Sequence, residues 1–392
     1  MSRTAIGVAL VALAALAAGA DRPADVEFAG PAGSGEPNLT VGLGGAVILT
    51  WLEPHAPAGH RLRVAVRRDG SWSRPVTVLA SDSLFVNWAD FPSLLALRDG
   101  TWIVHWLARV PGGRYAYHVR VARSADQGRT WTLPLTPHRD SSPREHGFVA
   151  MAAADDSTTA MIWLDGRAMT APEQGDMTLR FTRVTASGRL MTEELLDERT
   201  CECCQTALVR TQRGLLAAYR DRSPQGIRDI SIVRQIGATW TAPTPVARDG
   251  WAYPGCPVNG PALAARGDRV ALTWFTAPAG RARVFTAFST DGGATWTAPT
   301  GVDHGRPLGR VDVDLQPDGT AVVAWLEVGD DGAEVRARSV RPDGPAGRSW
   351  RVAGTTEARS SGFPRIAITG EDIFIAWTSE EGVRVASFPI RR

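Results

Sequence analysis

Seven short apolar runs end in an aromatic residue and recur at a nearly constant step. They are Val47–Trp51, Ile103–Trp106, Met161–Trp163, Leu215–Tyr219, Ala271–Trp274, Val322–Trp325 and Phe374–Trp377, with the aromatics 51 to 57 residues apart. A second series follows in step at Trp72, Trp131, Leu190 or Met191 in place of a Trp, Trp240, Trp296 and Trp350. Two interleaved series with one period mean a repeated structural unit. Each unit reads as four strands. In the second these are Pro92–Leu97, Thr101–Leu107, Ala116–Arg123 and Trp131–Leu135, separated by Arg98-Asp99-Gly100, by Pro111-Gly112-Gly113 and by a longer turn. Short strands at this spacing, without helical periodicity, predict the radial blades of an all-β propeller.

Seven units are present. The last holds Pro364–Thr369, Ile373–Thr378 and Val383–Phe388 and lacks a fourth strand, which Asp25–Phe28 near the other terminus offers. A ring closed this way has no unpaired edge. The expectation is a seven-bladed β-propeller of four-stranded antiparallel blades closed by an N-terminal strand, one domain over 21–392. The alternative is a six-bladed ring with an accessory unit.

The turn between third and fourth strands has its own signature. It reads Ser289-Thr290-Asp291-Gly292-Gly293-Ala294-Thr295-Trp296 in one unit and Ser124-Ala125-Asp126-Gln127-Gly128-Arg129-Thr130-Trp131 in another. Asp before Gly between apolar runs is a hairpin signal. The Asp carboxylate can accept N–H bonds inside its own turn. Gly takes positive φ cheaply, and the Trp packs beneath. Gln235 replaces the Asp in the fourth unit, and Arg68-Asp69-Gly70-Ser71-Trp72 is a shortened form. The full copies, with Asp126, Gly128, Trp131, Asp291, Gly293 and Trp296, resemble the Asp-box of bacterial neuraminidase-type repeats. The chain is thereby similar to the sialidase-like propeller superfamily, whose typical sialidases have six blades.

The N-terminus reads as a secretion signal over 1–20. Arg3 is followed by an apolar run, Ile6 to Ala18, too short for a transmembrane span, and Ala18-Gly19-Ala20 gives a cleavage pattern. A periplasmic or secreted protein in an oxidising compartment is expected. The net charge of +2 gives no electrostatic case for nucleic acid or an anionic membrane. No later stretch is apolar enough to span a bilayer. Every basic residue is Arg.

In the propellers this chain resembles, substrate binds on the face opposite the Asp-boxes. That mouth would collect Asn87–Asp90, Glu145-His146, the cysteines, Tyr253, Asn259, Arg310 and Arg365. The strand 2–3 loops would add Glu53, Asp165-Gly166-Arg167, Arg220-Asp221-Arg222 and Glu327. All four cysteines stand at the approaches to two consecutive inner strands, in Cys201-Glu202-Cys203-Cys204 and at Cys256 in Gly255-Cys256-Pro257-Val258-Asn259-Gly260-Pro261. Adjacent blades would bring them together. Three readings stay open. Four cysteines allow three disulfide pairings, with Cys256 joined to one of the other three. Cys201, Cys203, Cys204 and Cys256, completed by His146, could hold copper or zinc. An exposed disulfide could be redox-active. Both cysteine stretches are similar to those of a group of exported bacterial sialidase-like proteins, a likeness that transfers no mechanism.

Membership among true sialidases would imply three arginines around a carboxylate, a Tyr nucleophile with a Glu partner, and an Asp acid. The candidates are Tyr253 or Tyr219, Asp90 or Asp165, and Arg310 with Arg365, Arg167 or Arg220 completing the set. The family's early Phe-Arg-Ile-Pro motif is absent, and its scrambled echo, Phe363-Pro364-Arg365-Ile366, lies in the last unit. Two functions follow. The first is a monomeric binding or assembly protein, not a sialidase, whose mouth takes a small molecule, glycan or soft metal at the cysteine cluster. The second is an exo-sialidase-type glycoside hydrolase acting on acidic sugars.

Overall fold

The computed structural model describes residues 25–170 and 174–390; the expected signal over 1–20 and its cut lie outside them. Seven antiparallel sheets follow one another along the chain. Their innermost strands are Gly35–Val41, Ser93–Ala96, His146–Ala153, Ala207–Thr211, Ala262–Arg266, Pro307–Leu315 and Arg365–Thr369. The protein is a seven-bladed propeller, and the six-bladed alternative falls. Val26–Ala29 pairs with Gly382–Pro389 and supplies the last blade's outer strand. The second blade departs from expectation. It has three strands, Ser93–Ala96, Trp102–Arg109 and Tyr117–Ser124, and where a fourth was expected over Trp131–Leu135 only one bridge, Val121 to Leu135, forms. No helix among the described residues is long and apolar enough to cross a membrane.

The apolar runs are continuous because the second strand of each blade is covered on both faces. Side chains alternate across a strand. In Val47–Pro54, Val47, Leu49 and Trp51 pack toward the seventh blade while Ile48 and Leu52 pack toward the second. Apolar clusters of this kind fill the space between each pair of neighbouring blades. Trp51, Trp274 and Trp325 lie in them, and Trp163 is fully buried as well.

The Asp-boxes form as read. Asp291 accepts the Thr295 N–H at 2.9 Å and its hydroxyl at 2.7 Å, and Ser289 Oγ accepts the Gly293 N–H at 2.8 Å. Asp126, Thr130, Ser124 and Gly128 repeat the pattern. The loss of Asp in the fourth unit leaves Gln235 inside a strand, accepting from Arg183 of the neighbouring blade.

At the opposite end the chain turns into four of the inner strands through an irregular step. Glu36, Phe148, Val258 and Arg310 all take positive φ there (53°, 52°, 49° and 55°), a conformation costing a non-glycine residue roughly 1–3 kcal/mol. Polar side chains reaching across blade boundaries hold these steps. Asp90 accepts the Phe148 N–H at 2.8 Å, Gln205 that of Gly260 at 3.0 Å, Asn259 that of Arg310 at 2.6 Å, and Asp312 that of Ile366 at 2.9 Å. Inner strands of all seven blades line a central cavity of about 200 Å³ that opens at this mouth.

Candidate functional site

The cysteines meet where the third, fourth and fifth blades join. Cys201–Cys204 leads from the strand Glu194–Thr200 into Ala207–Thr211, and Cys256 precedes Ala262–Arg266. The two stretches touch back to back. A Cβ on Gly260 would stand 2.0 Å from the Gln205 carbonyl oxygen, so only glycine fits. Cys203 and Cys256 form a disulfide, with Cys203 half-buried and Cys256 exposed. Cys201 and Cys204 are free thiols, buried, with Sγ atoms 3.3 Å apart. The Sγ atoms of Cys201, Cys203 and Cys204 lie within 4.8 Å of one another.

Arginines surround the buried pair. Arg228 Nη1 donates to Cys201 Sγ at 3.0 Å and to Glu202 at 3.1 Å, and its Nε donates to the Tyr253 carbonyl. Arg220 is 1% exposed and makes no ion pair within 4 Å among the described residues. It donates to the carbonyls of Asn259, Arg228 and Phe275 at 2.8, 2.5 and 2.6 Å and lies 4.8 Å over the Trp251 ring. Burial alone would raise the Cys201 thiol. The hydrogen bond with Cys204 and the Arg228 and Arg220 guanidiniums outweigh it and bring the thiol down to about 7. Burial pushes Cys204 well up.

His146 is not beside the sulfurs. Its ring is fully buried, stacks on His138 at 4.0 Å, and sets Nε2 3.0 Å from Asp140. Asp165 is buried as well, accepting from the Trp163 indole at 2.8 Å and from Arg167. Glu53 and Glu327 likewise accept from Trp51 and Trp325. These acids were expected on an open rim. They lie two residues beyond a tryptophan on the same strand face, and buried indole N–H groups need an acceptor. The recurrent Trp-Leu-Glu and Trp-Leu-Asp triplets at 51, 163 and 325 carry that signal.

The sialidase candidates are dispersed. Tyr219 is fully buried and donates to Asp197, while Tyr253 is 40% exposed and packs against Trp251. Arg310 donates to the carbonyls of Glu357, Ala358 and Gly362 and lies over Trp88. Arg365 pairs with Asp312 at 3.2 Å, and Arg167 with Asp165 and Glu193. The arginines thus serve separate partners.

Asp90 and Glu145, both expected at the mouth, meet at a tyrosine that was not among the candidates. The buried Tyr117 hydroxyl is 3.1 Å from Asp90 and 2.6 Å from Glu145. One hydroxyl proton cannot serve two carboxylates. Burial pushes Asp90 up to about 7, against the Phe148 N–H and the Tyr117 hydroxyl, which lower it. Burial, with the charges of Asp90 and Glu202, pushes Glu145 up to about 8. Both values lie above those of the unfolded chain, near 4. The folded state therefore holds these protons more tightly. Their contribution is full below about pH 4 and is lost as the pH rises through 7 to 8. Thermal melts should fall by at least about 3 °C between pH 5.5 and 8.5, and Glu145→Gln should flatten that slope. An unchanged slope in the variant would refute the assignment.

No family model matches this chain, and no curated protein matches it. Solved structures do. A Dyadobacter fermentans protein of unknown function superposes with TM-score 0.53 and 17% identity, over 92% of this chain and 96% of that one. An α-L-arabinanase of Penicillium chrysogenum, complexed with arabinobiose, gives 0.52 and 12% over 94% and 98%. The NanB sialidase of Streptococcus pneumoniae, as its K499G mutant, gives 0.48 and 12% over 94% and 71%. Identities this low speak to the fold alone.

Proposed function

We propose that this chain is an exported, monomeric propeller that exchanges disulfides at its mouth and does not cleave sialosides. One observation carries the reading: a buried dithiol, Cys201 and Cys204, lies against a solvent-reachable disulfide, Cys203–Cys256, with three of the sulfurs within 4.8 Å of one another. The Cys201 thiolate attacks Cys203 Sγ. The Cys203–Cys256 bond breaks, and its electron pair leaves on Cys256, which takes a proton from solvent. Cys204 then attacks Cys201 and releases Cys203. Each step makes one S–S bond and breaks one, so no outside oxidant is consumed. The disulfide moves from the exposed pair to the buried pair. A ligand carrying a thiol or disulfide would enter at exposed Cys256 by the same chemistry. The disulfide also fits an oxidising compartment.

The Cys204→Ser variant tests this, because it removes the resolving sulfur. Acid quenching, alkylation and peptide mapping should then find Cys201 bonded to Cys203 and Cys256 alkylated. Cys201→Ser should retain Cys203–Cys256 alone. If Cys204→Ser also retains only Cys203–Cys256, exchange does not occur. The alternative of sialoside hydrolysis would need activity on fluorogenic sialosides that Cys201→Ser leaves unchanged.

A further inference from the structure

We infer that Cys201 and Cys204 form a site for a soft monovalent cation, Cu(I), with Cys203 as a third ligand when its bond to Cys256 is open. The inference uses the sulfurs of the exchange reading but not its chemistry, and each stands without the other. The donor set comes first. Among the described residues, the convergent ligand atoms here are sulfurs only. His146 faces Asp140 and the other histidines, and Glu202 is engaged by Arg222 and Arg228. Thiolates without oxygen or imidazole partners select Cu(I) over harder ions. Structural Zn(II) asks for four ligands, and the disulfide leaves two free thiols.

Charge points the same way. Two thiolates around a monovalent ion keep one net negative charge. Arg228 is 3.0 Å from Cys201 Sγ, and Arg220 is buried close to both sulfurs and makes no ion pair within 4 Å among the described residues. The anionic complex gives these guanidiniums a counter-charge. A divalent ion would cancel the thiolates and leave Arg220 buried without the counter-charge they supply, an expensive arrangement, while Arg228 would keep Glu202. The sulfurs are 3.3 Å apart. A two-coordinate ion needs roughly 4 Å or slightly more, so the pair must open by somewhat less than 1 Å.

The test is anaerobic titration of Cu(I), delivered as its acetonitrile complex, against the chromophoric competitor bicinchoninate. Wild type with its disulfide intact and the Cys203→Ser/Cys256→Ser variant should each take up one Cu(I) per chain. Cys201→Ser/Cys204→Ser should bind at least 100-fold more weakly, and so should Cys201→Ser alone, which perturbs the buried site less. X-ray absorption of the loaded wild type should find sulfur alone around copper. Failure of the wild type to compete, nitrogen or oxygen in the shell, undiminished binding by the Cys201 variants, or equal uptake of Zn(II) would each overturn the site. The Cys203→Ser/Cys256→Ser variant has no disulfide to move. Copper uptake there, set against disulfide mapping of copper-free Cys204→Ser, tells failure of this site from failure of the exchange.

Discussion

Arg220→Met should destabilise the protein by about 4 kcal/mol and disorder the sulfur centre. Arg220 is 1% exposed and joins three separate segments through the carbonyls of Asn259, Arg228 and Phe275. Methionine fills similar space but donates nothing. Each buried carbonyl left without its donor costs about 1–3 kcal/mol, and the contact with the Trp251 ring is lost as well. Relaxation and water entry recover part of that sum. Arg220→Lys should not rescue it, because one ammonium cannot span three carbonyls set around a planar fork. Arg222→Met is the matched control. Arg222 is a partly exposed side chain paired with Asp176 and Glu202, and such pairs contribute about 0–1 kcal/mol. Urea midpoints of the three variants decide the matter. A midpoint for Arg220→Met as close to wild type as that of Arg222→Met would show that the guanidinium is not a keystone. Alkylation should also reach Cys201 and Cys204 under native conditions in Arg220→Met and not in Arg222→Met.

Removing Val26–Ala29 should have the largest effect on the fold. A chain beginning at Gly30 should lose most of its soluble, monomeric fraction at 37 °C. The strand Gly382–Pro389 would become an open edge, a template for pairing with other molecules. Phe28 would leave its place between Trp51 and Trp72, with ring centroids at 5.1 and 5.3 Å. Glu27 would abandon Arg67 and Ser387. Loss of a well-packed phenylalanine alone costs about 3–5 kcal/mol. The half-exposed Phe28→Ala should sit at or below the low end of that range, with the ring still closed. Size exclusion and thermal melting separate the two cases. A monomeric truncated chain melting within a few degrees of Phe28→Ala would mean that the ring does not need its closing strand.

The propeller was legible because its signals are local or periodic. A second strand buried on both faces must be apolar throughout, and that requirement repeats in every blade. Trp51, Trp106, Trp163, Tyr219, Trp274, Trp325 and Trp377 therefore mark the ring, 51 to 57 residues apart. The Asp-box is readable because Asp291 and Ser289 bond within their own turn. The missing strand in the last unit made Val26–Ala29 the natural closure. The absent fourth strand of the second blade had one local mark, Pro134 within Trp131–Leu135, which has no N–H to pair and leaves only the bridge at Leu135.

The site divides along the same physical line. Residue order alone brought Cys201, Cys203, Cys204 and Cys256 together, because neighbouring blades must touch. Pairing among them depends on distances of a few ångströms between loops 53 residues apart, and only the tertiary structure chose Cys203 with Cys256 and left Cys201 and Cys204 buried as thiols. His146 belongs to a histidine stack instead of a metal set, Asp165 serves a tryptophan and an arginine, and Tyr117 stands between Asp90 and Glu145. Only the pairing of Asp165 with Trp163 has a local mark, the Trp-Leu-Asp triplet; the others do not follow from residue type. A charged or titratable side chain near a strand end can face solvent, a neighbouring indole or another acid, and the free energies of those choices are set by neighbours that the chain meets only once the ring has closed.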